Sequence, residues 1–538
     1  MARPNEKLAA ALVELKQLQD EGVSAIQSNQ LGRASREVLL KSGYIELVIK
    51  GWYLASRPDE PAGSSTVWFA HMREFIAGYC DSRFGNDWHV NPELSLMLLS
   101  GERALPQQIF VWATQANNQL IALPHGTSLL LYRAPRLLPA AASKGEEGGL
   151  RLVNREDALA EAGESFYRQQ PLAAQLNLSQ LVYVDDLARV LLTESKPVVA
   201  GRLAGALRAG SRPDLADELL KTMRSAGHDV RETNPFEHPL PSLGMFARGE
   251  SPYVQRIRLL WANMRQQVID HFPQPPPNAL GLASILADIE ARYVTDAYHS
   301  LSIEGYRVTT ELIERVRNGN WNPDDTDKSE RNAMAAKGYF DVHNLVKNDI
   351  QAVWSGANVG TVFRTRLSEW YRTLWGASVT AGLLKPADLA GYRNDQVYIA
   401  NAAHVPVPKD AVRDCMPVLF ELLEKEPHAG VRAVLGHLVF VYIHPYMDGN
   451  GRLARFLMNL MLTTGGYIWT IVPVERRNDY MMALDQASAH KNILPFTQFI
   501  AALVEAQTRE RLASPGKSSA RWLNALPREV PLTADTWR

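Results

Sequence analysis

The chain has 538 residues and a formal net charge of −1, so we expect at least two domains, with three the favoured number, and the charge balance indicates no acidic partner. Hydrophobic residues make up 46% of the sequence, which is typical of globular proteins, and two cysteines, Cys80 and Cys415, exclude a disulfide framework and a CxxC zinc site. The charged, amphipathic start does not resemble a signal peptide and no run of eighteen apolar residues follows, so we expect a cytoplasmic protein without a membrane span.

The first 61 residues carry the pattern of a winged helix. A helix is predicted over 4–21, with shorter helices over 24–30 and 35–42, and then a strand pair that turns at Lys50-Gly51. This segment resembles the N-terminal module of abortive-infection-type antitoxins. The residues that carry the resemblance are Ser35, Arg36, Gly43, Gly51 and Tyr53.

That resemblance implies DNA binding through the N-terminal module. Residues 1–61 contain eight Lys or Arg and eight Asp or Glu, whereas a DNA-binding face normally shows a basic excess. A local cluster of Arg33, Arg36, Lys41 and Lys50 could supply such a face. A small protein-interaction module therefore remains the open alternative.

Residues 62–235 read as a mixed α/β region that continues the antitoxin-like part. WFAHMREFIAGYC is predicted as a helix, QQIFVWAT and TSLLLYRA as strands, and 142–149 as a polar loop. The second half of 176–194 is predicted to be helical. Trp68, Trp88 and Trp112 are interpreted as core residues, and we find no catalytic constellation here.

Prolines are concentrated in residues 236–280, which we interpret as a linker. The stretch TNPFEHPLPS marks the best domain boundary, and HFPQPPPNA is typical of an extended spacer. A catalytic domain is then expected over 281–510, followed by a polar C-terminal tail, 511–538, with partial disorder.

Two helices joined by a glycine-rich turn are predicted at residues 431–466. The apolar run VRAVLGHLVFVYI should form a buried helix that Pro445 ends, and LARFLMNLMLTTGG a second helix. Gly449 and Gly451 let the backbone between them turn its N–H groups inward. Backbone N–H groups at a helix N-terminus attract phosphate oxygens. The sequence therefore predicts helix, anion-binding turn, helix.

The side chains of this turn are suited to phosphate chemistry. Arg452 and Arg455 are three residues apart, so they share a helix face and can both reach a polyphosphate. Asp448 can hold a hard cation between phosphates, and His444 titrates near neutral pH and can accept a proton from a hydroxyl. These are the parts of a phosphoryl or nucleotidyl transfer site.

The string HPYMDGNGRLAR resembles the signature of the Fic family, His-Pro-aromatic-x-Asp/Glu-Gly-Asn-Gly-Arg-x-x-Arg, at every defined position. The resemblance implies an all-α Fic domain with a small β-hairpin flap, which transfers AMP from ATP, with Mg²⁺, to a hydroxyl of a target protein. Carried onto this sequence, the site residues are the base His444, the magnesium ligand Asp448, the anion hole Gly449, Asn450 and Gly451, and the phosphate clamps Arg452 and Arg455.

A second motif precedes the first in the chain. Residues 284–305 read as a long amphipathic helix with Ser300 and Glu304 on one face before Gly305. The string resembles the inhibitory motif of Fic proteins, Ser/Thr-x-x-x-Glu-Gly/Asn, which implies that Glu304 pairs with Arg455 and blocks the productive pose of the ATP γ-phosphate. Alone, the string is also explained by a capped helix end.

Two further segments resemble parts of the family. Residues 391–408 include the strand-like QVYIA and resemble the flap that docks a Tyr, Thr or Ser of a target protein by backbone pairing. Asn478 and Tyr480 lie in a segment that resembles the one closing over adenosine, although a plain helix start explains them equally well.

The favoured function is a protein adenylyltransferase that Glu304 inhibits. Three alternatives stay open: removal of AMP by the same site, transfer from another phosphate donor, and a DNA-binding transcriptional regulator whose Fic domain senses nucleotide. The target protein and the oligomeric state are not readable from the sequence.

Overall fold

The computed structural model describes residues 4–56, 58, 65–104, 106–140, 149–240, 250–276, 281–321, 331–399 and 402–513. They form two compact units. One comprises Met1–Arg256 with Tyr398–Val405, and the other Ile257–Val397 with Pro406–Arg538. Nearly all of the predicted loop 142–149 and of the predicted tail lie outside the described residues.

The chain begins with a helix and a small antiparallel sheet. The elements are α1 Pro4–Asp20, β1 Ala25–Gln27, α2 Arg33–Lys41, β2 Ile45–Ile49 and β3 Trp52–Ala55, and the strand order is β1-β3-β2. The predicted helix over 24–30 is wrong, because its first half pairs with β3 and so buries Ile26 completely. Gly51, with φ of +87°, makes the predicted hairpin turn.

A four-stranded sheet follows in the order β4-β5-β7-β6. Its strands are β4 Trp88–Val90, β5 Gln108–Ala113, β6 Gln119–Ala122 and β7 Ser128–Arg133, and β5 and β7 are parallel. Both predicted strands are thus confirmed. The helix α3 Thr66–Phe84 shares a core with this sheet, in which Trp68 and Trp88 are buried, whereas Trp112 is only half-buried.

In the described part of residues 92–225 there are seven further α-helices, and the helix that follows them corrects the linker prediction. They are α4 Pro92–Leu99, α5 Arg155–Glu161, α6 Glu164–Gln169, α7 Pro171–Ser179, α8 Asp185–Thr193, α9 Pro197–Ala209 and α10 Pro213–Ser225. Within the predicted linker, residues 252–271 form the helix α11 Pro252–His271. It is ordered because Ile257, Trp261, Met264 and Val268 recur at helical spacing and are all buried.

The second unit is helical. Its helices are α12 Leu282–Ile303, α13 Thr310–Arg317, α14 Arg331–Trp354, α15 Val359–Leu374, α16 Gly376–Thr380, α17 Val412–Lys425, α18 Ala429–Ile443, α19 Asn450–Thr464, α20 Arg477–His490 and α21 Leu494–Ala513. The central helix is α19, in which all residues but two are buried. No helix among the described residues is long and apolar enough to cross a membrane.

The predicted flap has no β-strand in its described part, 391–399 and 402–408. The described part of the strand-like QVYIA, residues 396–399, is therefore not a strand here. Side-chain contacts join the two arms of the segment instead: Gln396 Nε2 donates to the carbonyl of Pro406 at 3.1 Å, and the Arg393 guanidinium donates to the carbonyl of Val407.

Candidate active site

The candidate site lies where α18 ends and α19 begins, as the sequence predicts. His444 ends α18 in the left-handed conformation, with φ of 54° and ψ of 63°, which is uncommon for a residue other than glycine. Gly449, also left-handed with φ of 89°, precedes the first turn of α19. The predicted arrangement of helix, turn and helix is confirmed.

Polar contacts hold this turn in shape. The Asn450 side chain accepts from the Tyr446 N–H at 3.0 Å and donates to the Tyr446 carbonyl at 2.8 Å. The amide thereby holds the turn, and the backbone N–H of Asn450 remains for an anion. Arg393 is buried and donates from Nε to the His444 carbonyl at 2.8 Å.

The His444 imidazole is prepared to accept a proton. Its Nδ1 lies 3.3 Å from the carbonyl oxygen of Val441. Because a carbonyl can only accept, Nδ1 carries the ring proton and Nε2 keeps its lone pair. Burial lowers the pKa of His444 to about 4, so the ring is neutral at pH 7.

Arg455 meets the helix that carries the second motif. Its Nε donates to Ser300 Oγ at 2.8 Å, and its Nη2 donates to the Ser300 carbonyl at 3.0 Å and to Glu304 Oε1 at 2.6 Å. The side chain of Arg455 is 5% exposed and that of Glu304 27%. The structure thus brings together the three residues that the sequence singles out.

The Glu304 carboxylate is held in its charged form. Burial acts to raise its pKa, but the positive charges of Arg455 and Arg452 outweigh burial, so the pKa lies below its ordinary value. A Cβ added to Gly451 would lie 2.3 Å from Glu304 Oε1. The carboxylate therefore lies directly against the first turn of α19, where a phosphate would meet the helix N-terminus.

Arg452 is the most deeply buried charge of the site, with 1% of its side chain exposed. Its guanidinium packs against two aromatic rings, 5.1 Å from the centroid of Tyr306 and 4.8 Å from that of Trp375. Sequence reasoning missed both aromatics. Tyr306 follows the second motif directly, which is a signal that could have found it, whereas Trp375 stands in an ordinary helical stretch.

Asn478 and Tyr480, the two residues predicted to contact adenosine, differ in their exposure. Asn478 is exposed in the first turn of α20. Tyr480 is 2% exposed, and its hydroxyl lies 2.7 Å from His437 Nε2. Burial raises the pKa of Tyr480 to about 12. Tyr480 is thus buried beside His437 and Asn478 is exposed, and a contact of either residue with adenosine stays a prediction.

Asp448 is the candidate metal ligand, and its chemistry fits magnesium. Its side chain is 55% exposed, and Oδ1 accepts the N–H of Gly449 at 2.5 Å, which leaves Oδ2 for a cation. In the described part of the chain, no group of three or more His, Cys, Asp or Glu could hold a metal. One carboxylate is nevertheless sufficient for Mg²⁺ when substrate phosphates and water supply the other ligands.

Comparison with known proteins identifies the domain that contains this site. Residues 367–462, from α15 into α19, match the Fic/DOC family. The C-terminal half of the chain therefore contains a Fic domain, as the sequence motif predicts.

The relatives that match are also Fic proteins. A protein adenylyltransferase Fic of Nematostella vectensis is 39% identical over 137 residues, which are 25% of this chain and 31% of that protein. One of Drosophila virilis is 27% identical over 252 residues, 45% of this chain and 46% of that protein. The chain thus spans less than half the length of these relatives. Among solved structures, Fic-1 (aa134 - 508) from C. elegans is 17% identical, covers 67% of this chain and 91% of its own, and has a TM-score of 0.36.

Proposed function

We propose that this protein transfers AMP from ATP to a hydroxyl side chain of a target protein. The observation that carries the proposal is a neutral imidazole, His444, that precedes a helix N-terminus with two buried guanidiniums, those of Arg452 and Arg455. The relatives' designation as protein adenylyltransferases supports transfer of AMP over its removal.

The reaction follows from the chemistry of these groups. Nε2 of His444 accepts the proton of the target hydroxyl, and the oxygen forms a bond to the α-phosphorus as the bond to the β-phosphate oxygen breaks. AMP becomes esterified to the target and pyrophosphate leaves. The backbone N–H groups of Asn450 and Gly451 stabilise the charge on the α-phosphate, since the Gly449 N–H donates to Asp448. Arg452 and Arg455 stabilise the charge on the leaving group.

Asp448 would hold Mg²⁺ through Oδ2. The ion supplies charge neutralisation between the phosphates. The role of Asp448 is to fix the cation beside the turn, and its bond to the Gly449 N–H orients the carboxylate for that task.

Glu304 would keep this site inactive. Its carboxylate pairs with Arg455 at 2.6 Å and so neutralises a guanidinium that would bind phosphate. It also lies against Gly451 and occupies the space where a phosphate would meet the helix N-terminus. A triphosphate binding productively has to displace it, because two anions cannot share one guanidinium at that distance without strong repulsion.

The segment 391–408 would hold the target. Arg393 links it to the catalytic turn, because its guanidinium donates to the carbonyls of both Val407 and His444. A photoreactive group placed at the exposed Asp395 should crosslink to the modified target. A crosslinking yield equal to that of an exposed position in α1 would contradict this assignment.

DNA binding by the N-terminal module is the second candidate function. The observation favouring it is that α2, which exposes Arg33 and Lys41, is followed by the β2–β3 hairpin, the order of a winged helix. Arg36 adds less than predicted, since its Nη1 donates to the Ser28 carbonyl at 2.5 Å. Affinity for a DNA duplex that is independent of salt concentration, or unchanged by Lys41→Glu, would contradict it.

The test of the main proposal is to follow which part of ATP reaches the target. The full chain carrying Glu304→Gly is incubated with a cell extract and with ATP labelled at either the α- or the γ-phosphorus. Labelling by the kinases of the extract is subtracted with the same chain carrying also His444→Ala. We then expect protein-bound label from the α position only, because the leaving pyrophosphate carries the γ-phosphorus. Label from the γ position would instead show phosphoryl transfer.

A further inference from the structure

Four hydrogen-bond donors are buried together beside the start of α19 without an acceptor. Three are the nitrogens Nε, Nη1 and Nη2 of Arg452, and the fourth is the indole Nε1 of Trp375. None of them has a hydrogen-bond partner among the described residues. The Asp448 carboxylate lies 3.8 Å from Arg452 Nη2, which is too far for a hydrogen bond.

Such a cluster is unusual because buried donors in native proteins are almost always paired. Leaving one unpaired costs the full loss of its hydration, and the cost is larger for a charged group. The neighbouring Arg455 shows the ordinary situation, since its nitrogens bond to Ser300 and Glu304. The unpaired donors around Arg452 therefore indicate a ligand that supplies several acceptor oxygens.

Both donor groups line the same side of the helix start. A Cβ added to Gly449 would lie 3.4 Å from Trp375 Nε1 and 3.6 Å from Arg452 Nη2. The first N–H groups of α19 have no partner within their helix and favour an anion at this end. The indole ring also covers the Arg452 guanidinium at 4.8 Å, which fixes the plane of its donors.

We propose that Trp375 is an additional phosphate-binding residue, whose indole N–H donates to an oxygen of the pyrophosphate portion of the donor nucleotide. The inference rests on the proposed function for the identity of that donor, but the site itself requires only a polyphosphate anion. Trp375 acts in two ways: the N–H contacts the anion, and the ring positions the Arg452 guanidinium 4.8 Å from its centroid.

The two contributions of Trp375 can be separated with inorganic pyrophosphate as the probe. The full chain with Glu304→Gly is compared with the same chain carrying also Trp375→Phe, which keeps a ring and removes the N–H, or Trp375→Leu, which removes both. The matched control is Trp354→Phe, because Trp354 is 40% exposed at the end of α14. Dissociation constants are measured by calorimetry, and thermal melting checks that each variant is folded.

We expect Trp375→Phe to weaken pyrophosphate binding about tenfold, the size of one hydrogen bond to a charged group, and Trp375→Leu to weaken it further. The control should bind as its parent does. Affinity within twofold of the parent for Trp375→Phe would overturn the donor role, as would a parent that binds no pyrophosphate. A protein that binds pyrophosphate but transfers no AMP would refute the proposed function and leave this inference standing.

A second measurement observes the Trp375 indole N–H directly. In ¹⁵N-labelled Glu304→Gly protein, the indole N–H resonance that the Trp375→Phe spectrum lacks should move downfield when pyrophosphate is added, because the N–H gains a charged acceptor. If that resonance stays in place while pyrophosphate binds, the anion does not contact Trp375 and the proposal is wrong.

Discussion

Replacing His444 with alanine is expected to lower the rate of AMP transfer by about 10²–10⁴-fold, the usual contribution of a positioned general base. No other group is proposed to accept the proton of the target hydroxyl. His444 is half-buried and its ring makes one hydrogen bond, to the Val441 carbonyl, so the fold should survive its loss. Incorporation of α-labelled AMP and the melting temperature measure the two effects.

The matched control is His271→Ala, because His271 is exposed at the end of α11. This variant should transfer AMP at the parent rate. If His444→Ala also keeps the parent rate while remaining folded, the imidazole is not the base.

The pH dependence of AMP transfer by the unsubstituted chain, the parent of the variants in this section, reports on the same imidazole. A base must be unprotonated to act, and burial lowers the pKa of His444 to about 4. We therefore expect kcat/KM to be level from pH 8 down to about pH 6 and to fall only as the pH approaches that pKa. A fall centred on the ordinary histidine pKa, about 6.5, would mean that the ring is not buried in the working enzyme.

Replacing Glu304 with glycine is expected to raise the rate of AMP transfer by about 5–150-fold, the usual range of a coupling between two sites. The change removes the carboxylate from Arg455 and from the space beside Gly451, so the guanidinium becomes free for phosphate. The helix should remain in place, because Arg455 still bonds to the Ser300 hydroxyl and carbonyl. Initial rates at saturating ATP measure the effect.

Two glutamine variants separate charge from position. Glu304→Gln removes the charge but keeps the size, so its gain in rate should be smaller than that of Glu304→Gly. Glu314→Gln, in the partly exposed face of α13, removes an equal charge away from the site and should change nothing. Equal rates for the parent and Glu304→Gly would mean that the contact with Arg455 does not inhibit.

The catalytic turn was predictable because its chemistry is local. Twelve consecutive residues carry the base, the magnesium ligand and both guanidiniums, and the apolar runs on either side form the helices that hold them. Ser300 and Glu304 could be paired with each other because they lie four residues apart on one helix. The contact of Glu304 with Arg455 could be predicted only from the family resemblance, since nothing in the spacing relates residues about 150 positions apart.

The remaining site residues could not be read because their roles depend on tertiary contacts. Trp375 and Arg393 resemble any aromatic or basic residue until the fold places one over Arg452 and the other under the His444 carbonyl. The phenol of Tyr480 looks like a ligand contact in sequence, but the chain buries it beside His437. Prolines after residue 271 suggested a linker and concealed the apolar spacing of α11.

The central claim is that residues 444–455 bind the phosphates of a nucleotide beside a proton acceptor. Its most direct test is a crystal structure of the full chain, carrying Glu304→Gly, with a non-hydrolysable ATP analogue. We expect the triphosphate at the start of α19, in contact with Arg452 and Arg455, with the α-phosphorus on the side of His444 Nε2. A nucleotide bound elsewhere, or an α-phosphorus out of reach of that nitrogen, would contradict the account.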